Sequence, residues 1–243
     1  MSRPTRRAVL PLLAGLSASA LIIRPARAAT RISPTLIEIG PGQFAALLEL
    51  TNADDAPLAI QCDAVAWSQA GDRDIQEPTD DVIVSPPGAT IPPGATQVIR
   101  AILRQRAPVD SERGYRLLIN EIPPPTSGPR RGVVFEIVHS VPLFRVPPAS
   151  QPGLLRWSAD RVGTEWDLVA ANAGGRYIRL RNLAATAGRG QPVGVKPAAQ
   201  IPYVLPGNAR RFRLTGLPAG ATAVQLVGDS QLGHFEQTVP LTR

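Results

Sequence analysis

The sequence predicts an all-β protein made of two β-sandwich domains. Its 243 residues are enough for one large domain or two ordinary ones. The 26 prolines and 21 glycines are spread along the chain, which is typical of many short strands joined by turns. Outside the N-terminus, no long apolar stripe recurs with the helical period of about 3.6 residues.

Residues 1–28 have the pattern of a secretory signal peptide. Three arginines precede an apolar run from Ala8 to Ile23, and Ala26-Arg27-Ala28 supplies the small residues of a cleavage site. We expect cleavage after Ala28 and no stable membrane insertion, because the run is short for a bilayer span. Thr5–Leu10 also resembles a twin-arginine signal, so the general secretory route and the twin-arginine route both stay open.

Arginine carries the basic character of the chain. The formal net charge is +7, and Lys196 is the only lysine. The arginines are scattered among the predicted strands, without a recognition helix or an aromatic-interleaved patch, so the sequence argues against nucleic-acid binding. The single cysteine, Cys62, cannot form an internal disulfide, and we expect its thiol to be buried.

The sequence contains no pattern typical of an active site. It has no G-x-S-x-G, no H-E-x-x-H, no phosphate-binding loop and no cysteine–histidine spacing for a metal. Only His139 and His234 could serve Cys62 as a base, and neither lies in a pairing motif. We therefore expect no catalytic residues, no cofactor and no metal, and an exported hydrolase is the weakest alternative.

Five segments of the first half predict strands separated by turn residues. They are Ile32–Ile39, Phe44–Asn52, Leu58–Trp67, Val82–Pro87 and Ile91–Arg100. Proline, glycine and aspartate between these segments supply the turn chemistry. In the third segment alternate positions are apolar, which indicates one buried face.

Two more strands follow, and their pattern is the most informative in the chain. Glu112–Ile122 mixes aromatic and aliphatic with polar residues and ends at three prolines, which cannot donate ladder hydrogen bonds. The chain re-enters at Gly132, and its odd positions then carry Val133, Phe135, Ile137, His139, Val141 and Leu143. One face of this strand is therefore long and mostly apolar, and the plain interpretation is that it packs on its own domain's core.

A stiff, polar connector from Pro147 to Gly153 marks the domain boundary. We divide the chain into a signal peptide (1–28), an N-terminal domain (29–147) and a C-terminal domain (148–243). Strand candidates in the last part are Leu154–Trp157, Trp166–Asn172, Ile178–Leu183, Arg211–Leu214, Ala223–Val227 and Phe235–Leu241. Leu205–Phe212 mirrors the proline-glycine turn and strand of the first domain, which indicates a distant structural repeat.

The order of motifs between residues 31 and 147 resembles that of periplasmic pilus chaperones of the chaperone–usher pathway. The similar segments are S-P-T-L-I-E-I, V-S-P-P, a P-P-G turn followed by Q-V-I-R, and E-I-P-P. The resemblance implies two immunoglobulin-like domains in an L-shaped arrangement, a periplasmic location, and pilus subunits and an outer-membrane usher as partners. It also implies that a donor strand with Val133, Phe135, Ile137, His139 and Val141 completes the fold of a subunit.

The resemblance implies an anchor for the subunit's C-terminal carboxylate. In the family, an arginine in the first strand and a lysine near the end of the donor strand bind this group. Leu36 and Pro142 stand at those positions here. A buried carboxylate needs charged donors, so the contact is either made differently or not made. Because divergent branches of the family carry an arginine in the strand before the donor strand, the resemblance implies Arg116 as the first substitute, with Arg100 and Arg104 as weaker candidates.

The family also implies an ionic link between the two domains. Glu112 and Asp229 align with its two acids, and Arg145 lies one residue from the position of its arginine. Such an offset turns a side chain to the opposite face of a regular strand, so a Glu112–Arg145–Asp229 link requires a bulge.

A second class of function stays open beside the chaperone. An exported β-sandwich with a long apolar edge strand is also suited to bind another extended peptide or a surface partner. The same edge invites self-association of the unbound protein, since unpaired strand edges tend to pair with one another.

Overall fold

The computed structural model describes residues 30–70, 73–123, 136–196 and 203–241. The expected signal peptide and the expected donor residues Val133 and Phe135 lie outside these ranges. All regular elements of the described residues are strands, as the all-β prediction requires. None of this part of the chain forms a helix that is long and apolar enough to cross a membrane.

The described residues of the first domain form ten strands. They are β1 (Thr30–Ser33), β2 (Ile37–Ile39), β3 (Ala45–Asn52), β4 (Leu58–Ala70), β5 (Arg73–Pro78), β6 (Val82–Ser85), β7 (Gly88–Ile91), β8 (Thr96–Leu103), β9 (Arg113–Ile122) and β10 (Ile137–Arg145). They form two layers, one in the order β1-β3-β8-β6 and the other in the order β2-β10-β9-β4-β5, with β7 paired to β4.

The core of the first domain lies between these two layers. Its largest fully buried side chains include Leu48, Leu50 and Ile99 from one sheet and Leu117 and Ile119 from the other. On these strands buried and more exposed positions alternate, because successive side chains of a strand point to opposite faces. The predicted alternation therefore places the core between the sheets.

The predicted strand Ile32–Ile39 is divided between the two sheets. β1 pairs antiparallel with β3, whereas β2 pairs parallel with the end of β10. Pro34 lies between the two pieces and lacks a backbone N–H, so a ladder cannot continue through it on both sides. The first segment of the chain thus borders both layers of the sandwich.

In the second domain, the part of the chain that the structure describes forms nine strands. They are β11 (Leu155–Val162), β12 (Glu165–Asn172), β13 (Ile178–Arg179), β14 (Arg181–Ala187), β15 (Gln191–Lys196), β16 (Tyr203–Val204), β17 (Ala209–Thr215), β18 (Ala223–Ser230) and β19 (Gly233–Pro240). Seven of them follow the order β11-β12-β17-β15-β14-β18-β19, and β13 pairs with β16. The boundary expected after Pro147 falls in the segment between β10 and β11.

Two details of the second domain differ from the sequence prediction. Ile178–Leu183 belongs to two strands that are divided at Leu180, because β13 pairs with β16 whereas β14 pairs with β15 and β18. The strands β15 and β16 were not predicted, since β16 has only two residues and β15 contains Pro192 and Gly194.

Each domain is built around a buried asparagine with the same set of contacts. The Asn52 amide donates to the carbonyls of Ala56 and Ile91, and the Asn172 amide donates to those of Arg176 and Val204. In both cases the backbone carbonyl of the asparagine also accepts from the glycine of a proline-glycine turn, Gly94 or Gly207. The two turns that the sequence relates by repetition are therefore held in the same way.

We expect Asn172→Ala to lower the free energy of unfolding by about 2–4 kcal/mol, because the buried Val204 carbonyl and the partly buried Arg176 carbonyl lose their donor. Chemical denaturation followed by tryptophan fluorescence measures the loss. Asn208→Ala is the control: this half-buried amide in the same region donates only to the Pro206 carbonyl. Equal losses for the two variants would contradict the role given to Asn172.

Candidate functional site

A free strand edge lies at the end of the first domain. β10 is paired with β9 along its whole length, from Ile137 to Arg145. On its other side, β2 covers only Leu143–Arg145. Among the described residues, no strand borders Ile137–Pro142 on that side. The backbone N–H and C=O groups that point outward there are available to another strand.

The side chains of β10 change from exposed to buried along this edge. Ile137 is 47% exposed and Val138 is 50% exposed, whereas Val141 is 4% exposed and belongs to the core of its own domain. The expectation that Val141 is offered to a subunit is therefore corrected. Of the expected donor residues within the described part of the chain, Ile137 is the apolar side chain that stays accessible.

His139 belongs to a polar cluster at the same end of the domain. Its Nε2 lies 2.7 Å from the Oε1 atom of Glu121 on β9. The hydroxyl of Thr30, on β1 of the other sheet, also donates to this oxygen. His139 is half-buried, so the expected donor position carries a hydrogen-bonded polar group where the sequence pattern is otherwise apolar.

Arg116 lies where the free edge ends. Its Cα is paired with that of Pro142 on β10, and its Nη1 lies 3.4 Å from the Oγ of Ser140. Its guanidinium carbon lies 3.8 Å from the ring centroid of Trp67, which belongs to β4, and 5.7 Å from that of Tyr203, which belongs to the second domain. The arginine is thus placed at the junction between the free edge and the second domain.

The guanidinium of Arg116 lacks a carboxylate partner among the residues that the structure describes. Asp74 acts on it electrostatically, but Asp74 is ion-paired to Arg210. Burial lowers the pKa of Arg116 from its usual value, and its buried Nε–H has no acceptor in this part of the chain. A half-buried cation without an anion has lost part of its hydration, so the site is suited to receive a carboxylate.

The other residues considered for the carboxylate lie elsewhere. Arg100 is an exposed residue of β8, in the opposite sheet, where its Cα is paired with those of Leu47 and Ser85. Arg104 follows the end of β8 and is also exposed. The structure therefore brings Arg116 to the free edge, and it does not bring Arg100 or Arg104 there.

An aromatic cluster next to Arg116 joins the two domains. Trp67 and Phe144 of the first domain pack against Tyr177, Tyr203 and Leu205 of the second, and Leu36 packs at the side of the cluster. Phe144 and Tyr177 are stacked with ring centroids 3.9 Å apart. Leu36, at the position where the resemblance implies an arginine, thus contributes to the domain junction.

Gln69, near the end of β4, forms two hydrogen bonds to the backbone of the second domain beside this cluster. Its amide donates to the Tyr203 carbonyl over 2.9 Å and accepts from the Leu205 N–H over 3.0 Å. Both bonds are buried, and both reach the backbone of the second domain. Because the two bonds use both ends of one amide, they fix the position of β16 relative to β4.

The ionic link between the domains has a different cation from the expected one. Arg176 of the second domain binds Glu112, with Nε and Oε2 2.5 Å apart, and Glu38, with Nη2 and Oε1 2.7 Å apart. The Tyr177 N–H also donates to Glu112. Burial raises the pKa of Glu112, and the hydrogen bonds from Arg176 and Tyr177 oppose that rise.

The expected Glu112–Arg145–Asp229 link is therefore corrected. Arg145 donates to the Ala107 carbonyl, and Asp229 accepts from Asn182 and lies 3.0 Å from His234. No bulge turns Arg145 toward the junction, since β9 and β10 keep a regular register through it. The sequence offered no direct signal for Arg176, because a turn of one domain meets an acid of the other only after folding.

We expect Arg176→Ala to lower the free energy of unfolding by about 3–5 kcal/mol, because it leaves the carboxylate of Glu112 buried with one backbone donor. The Glu112 side chain is only 1% exposed, whereas that of Glu38 is 40% exposed. Glu38→Gln is therefore the control and should cost less than about 1 kcal/mol. Chemical denaturation measures both, and an Arg176→Ala variant as stable as the wild type would contradict the link.

The surroundings of Cys62 do not favour a nucleophile. The thiol is buried in the core, and burial raises its pKa to about 11. A thiol with so high a pKa is protonated near neutral pH and therefore reacts slowly. Among the described residues, no group of three or more His, Cys, Asp or Glu side chains is arranged to hold a metal ion.

Comparison with solved structures finds the same two-domain fold. A chaperone from a complex described as the chaperone–tip adhesion subunit pre-assembly complex of archaic Csu pili of Acinetobacter baumannii is 22% identical, with a TM-score of 0.67 over 87% of this chain and 98% of that one. A chain of the Salmonella enterica SafA pilin–SafB chaperone complex is 19% identical, with a TM-score of 0.61. The match covers 87% of this chain and 96% of the Salmonella chain.

The comparison with curated proteins gives no match. The E. coli chaperone DraB is a further solved structure with this fold, at 21% identity and a TM-score of 0.58, over 88% of this chain and 95% of DraB. Such identities show the fold, which is that of two immunoglobulin-like domains. The family model for the N-terminal domain of PapD, described as a pili and flagellar-assembly chaperone, matches residues 29–151. The chain therefore belongs to the family of pilus assembly chaperones.

Proposed function

We propose that this chain is a periplasmic chaperone that captures pilus subunits by lending them β10 and delivers them to an outer-membrane usher. The observation that carries the proposal is the free edge of β10 from Ile137 to Pro142, with Arg116 at its end and without a carboxylate partner in the described chain. In the Acinetobacter and Salmonella structures, related chaperones are in complex with a tip adhesion subunit and with a pilin.

β2 defines how a subunit strand would bind at this edge. Because β2 runs parallel to β10 and covers only Leu143–Arg145, a strand added over Ile137–Pro142 in the same direction would be in line with β2. Its C-terminus would then lie where β2 begins. Arg116 lies at that point, opposite Pro142, so the geometry favours a strand that ends in a free carboxylate.

Two different interactions would hold the subunit. Added main-chain hydrogen bonds and the burial of Ile137 would stabilise the strand, and full burial of such a side chain contributes about 1.5–3 kcal/mol. The carboxylate would bind the guanidinium of Arg116 through charge-assisted hydrogen bonds. The first interaction recognises the unpaired strand of an incomplete subunit, and the second recognises the C-terminus of that strand.

The remaining parts of the proposal follow the family. The family consists of chaperones and is not a class of enzymes, and the proposed capture and release need no nucleotide or cofactor. Transfer to the usher would exchange β10 for a strand of the next subunit. No nucleic acid takes part in this scheme.

Co-expression tests the proposal directly. A pilus subunit from the same genome, exported together with this chain, should accumulate in the periplasm as a stoichiometric complex. Without the chain, the same subunit should be degraded or aggregate. A subunit that accumulates equally well without this chain would contradict the proposal.

The alternative is an exported protein that binds some other extended peptide at the same edge. Only the free edge of β10 favours this alternative. Binding at the edge alone does not require the peptide to end in a free carboxylate. A set of extended peptides that bind equally with free or blocked C-termini would support it over the chaperone.

A further inference from the structure

We infer that the second domain completes the carboxylate site, and that Tyr203 is the positioning residue that holds Arg116. This inference rests on the proposed function and extends it. Arg116 contacts two aromatic rings from different domains: its guanidinium carbon lies 3.8 Å from the ring centroid of Trp67 in the first domain and 5.7 Å from that of Tyr203 in the second. These rings are themselves in edge contact, with centroids 5.2 Å apart.

The contacts with the Trp67 and Tyr203 rings order the side chain of Arg116 in a way that β9 alone cannot. An arginine side chain loses more rotamer entropy than most side chains when it is fixed. Arg116 makes one long hydrogen bond, 3.4 Å to Ser140, and its buried Nε–H has no acceptor in the described chain. The aromatic faces therefore do most of the ordering, and ordering before binding increases affinity.

Tyr203 is held in place by its backbone. Its carbonyl accepts from Gln69 of the first domain and from Arg210, and Gln69 also binds the next residue but one, Leu205. The Tyr203 ring is only 7% exposed and lies 5.8 Å from that of Tyr177. The ring beside Arg116 is thus fixed from both domains.

Tyr177 provides a matched comparison. It belongs to the same cluster, is 5% exposed and stacks on Phe144, but no contact joins it to Arg116 among those the described residues show. Removal of either ring loosens the junction. Only removal of the Tyr203 ring takes away an aromatic contact of the Arg116 guanidinium.

The test uses the full chain and a synthetic peptide of the last strand of a pilus subunit from the same genome, made with a free C-terminal carboxylate and with a C-terminal amide. We expect the wild type to prefer the free acid by about tenfold or more. Tyr203→Leu should reduce this ratio to about threefold or less, whereas Tyr203→Phe and Tyr177→Leu should preserve it.

The ratio separates positioning from general stability, because a loosened junction weakens both peptides alike. A Tyr203→Leu chain that keeps the wild-type ratio would overturn the inference. If this variant does not fold, Gln69→Ala, which frees the backbone of Tyr203 and leaves every ring in place, should give an intermediate ratio, and an unchanged ratio would again overturn it. A wild type that binds neither peptide would instead overturn the proposed function.

Discussion

Replacement of Arg116 with glutamine is expected to weaken subunit binding about a hundredfold or more, because the subunit's carboxylate is then buried without a charged donor. The chain itself should stay folded, since Arg116 forms no ion pair with the described residues and lies at the rim of the aromatic cluster. The affinity of Arg116→Lys should lie between those of the wild type and Arg116→Gln, because lysine keeps the charge but lacks the planar guanidinium that binds both carboxylate oxygens. Affinity is measured by titration with the purified subunit.

Arg113→Gln is the matched control for this loss. Arg113 lies on the same strand, three positions before Arg116, and its exposed side chain is paired with Asp81. A subunit whose C-terminal carboxylate is blocked as an amide should bind the wild type and Arg116→Gln almost equally. Retention of the full effect of Arg116→Gln with the blocked subunit would show that the arginine acts on some other group.

The second large effect is expected at the free edge. Ile137→Ser should lower subunit affinity by about tenfold to a hundredfold, because an apolar side chain that becomes buried in the complex is lost. Phe135→Ser together with Ile137→Ser should abolish recovery of the subunit from the periplasm. The Ile137→Ser variant should unfold at the same temperature as the wild type, since Ile137 is 47% exposed in the free chain.

Val138→Ser is the control. Val138 and Ile137 are adjacent and almost equally exposed, but their side chains lie on opposite faces of β10. Val138 is 50% exposed but points to the opposite side of β10 from Ile137 and Val141. Donor-strand binding therefore predicts a large effect at Ile137 and a small one at Val138. Equal effects at the two positions would indicate a flat contact surface in place of an inserted strand.

The sequence predicts the strand pair that forms the site, and the reason is physical. Alternating apolar residues and the prolines after Ile122 define β9 and β10 locally, without knowledge of the rest of the chain. Alternation identifies a face, however, and it does not show where the opposite sheet ends. This is why Val141 and Ile137 share a pattern, although the first is a core residue and the second is exposed.

The contacts between the domains could not be predicted in the same way. Arg116 is a prediction from the family resemblance, made because Leu36 and Pro142 stand where the expected cations belong. The link from Arg176 to Glu112 depends on how two separately folded sandwiches meet. Neither the spacing nor the chemistry of one segment determines that arrangement, and the prediction accordingly named Arg145.

Amide hydrogen exchange along β10 tests the central claim most directly. The exposed edge over Ile137–Val141 should exchange rapidly in the free chain at the alternate amides that β9 does not bind. Addition of the subunit should protect these amides strongly, while the opposite edge strand of the same sheet, β5, should remain unchanged. Protection of β5, or of an edge of the second domain, with β10 still exchanging rapidly, would contradict the account.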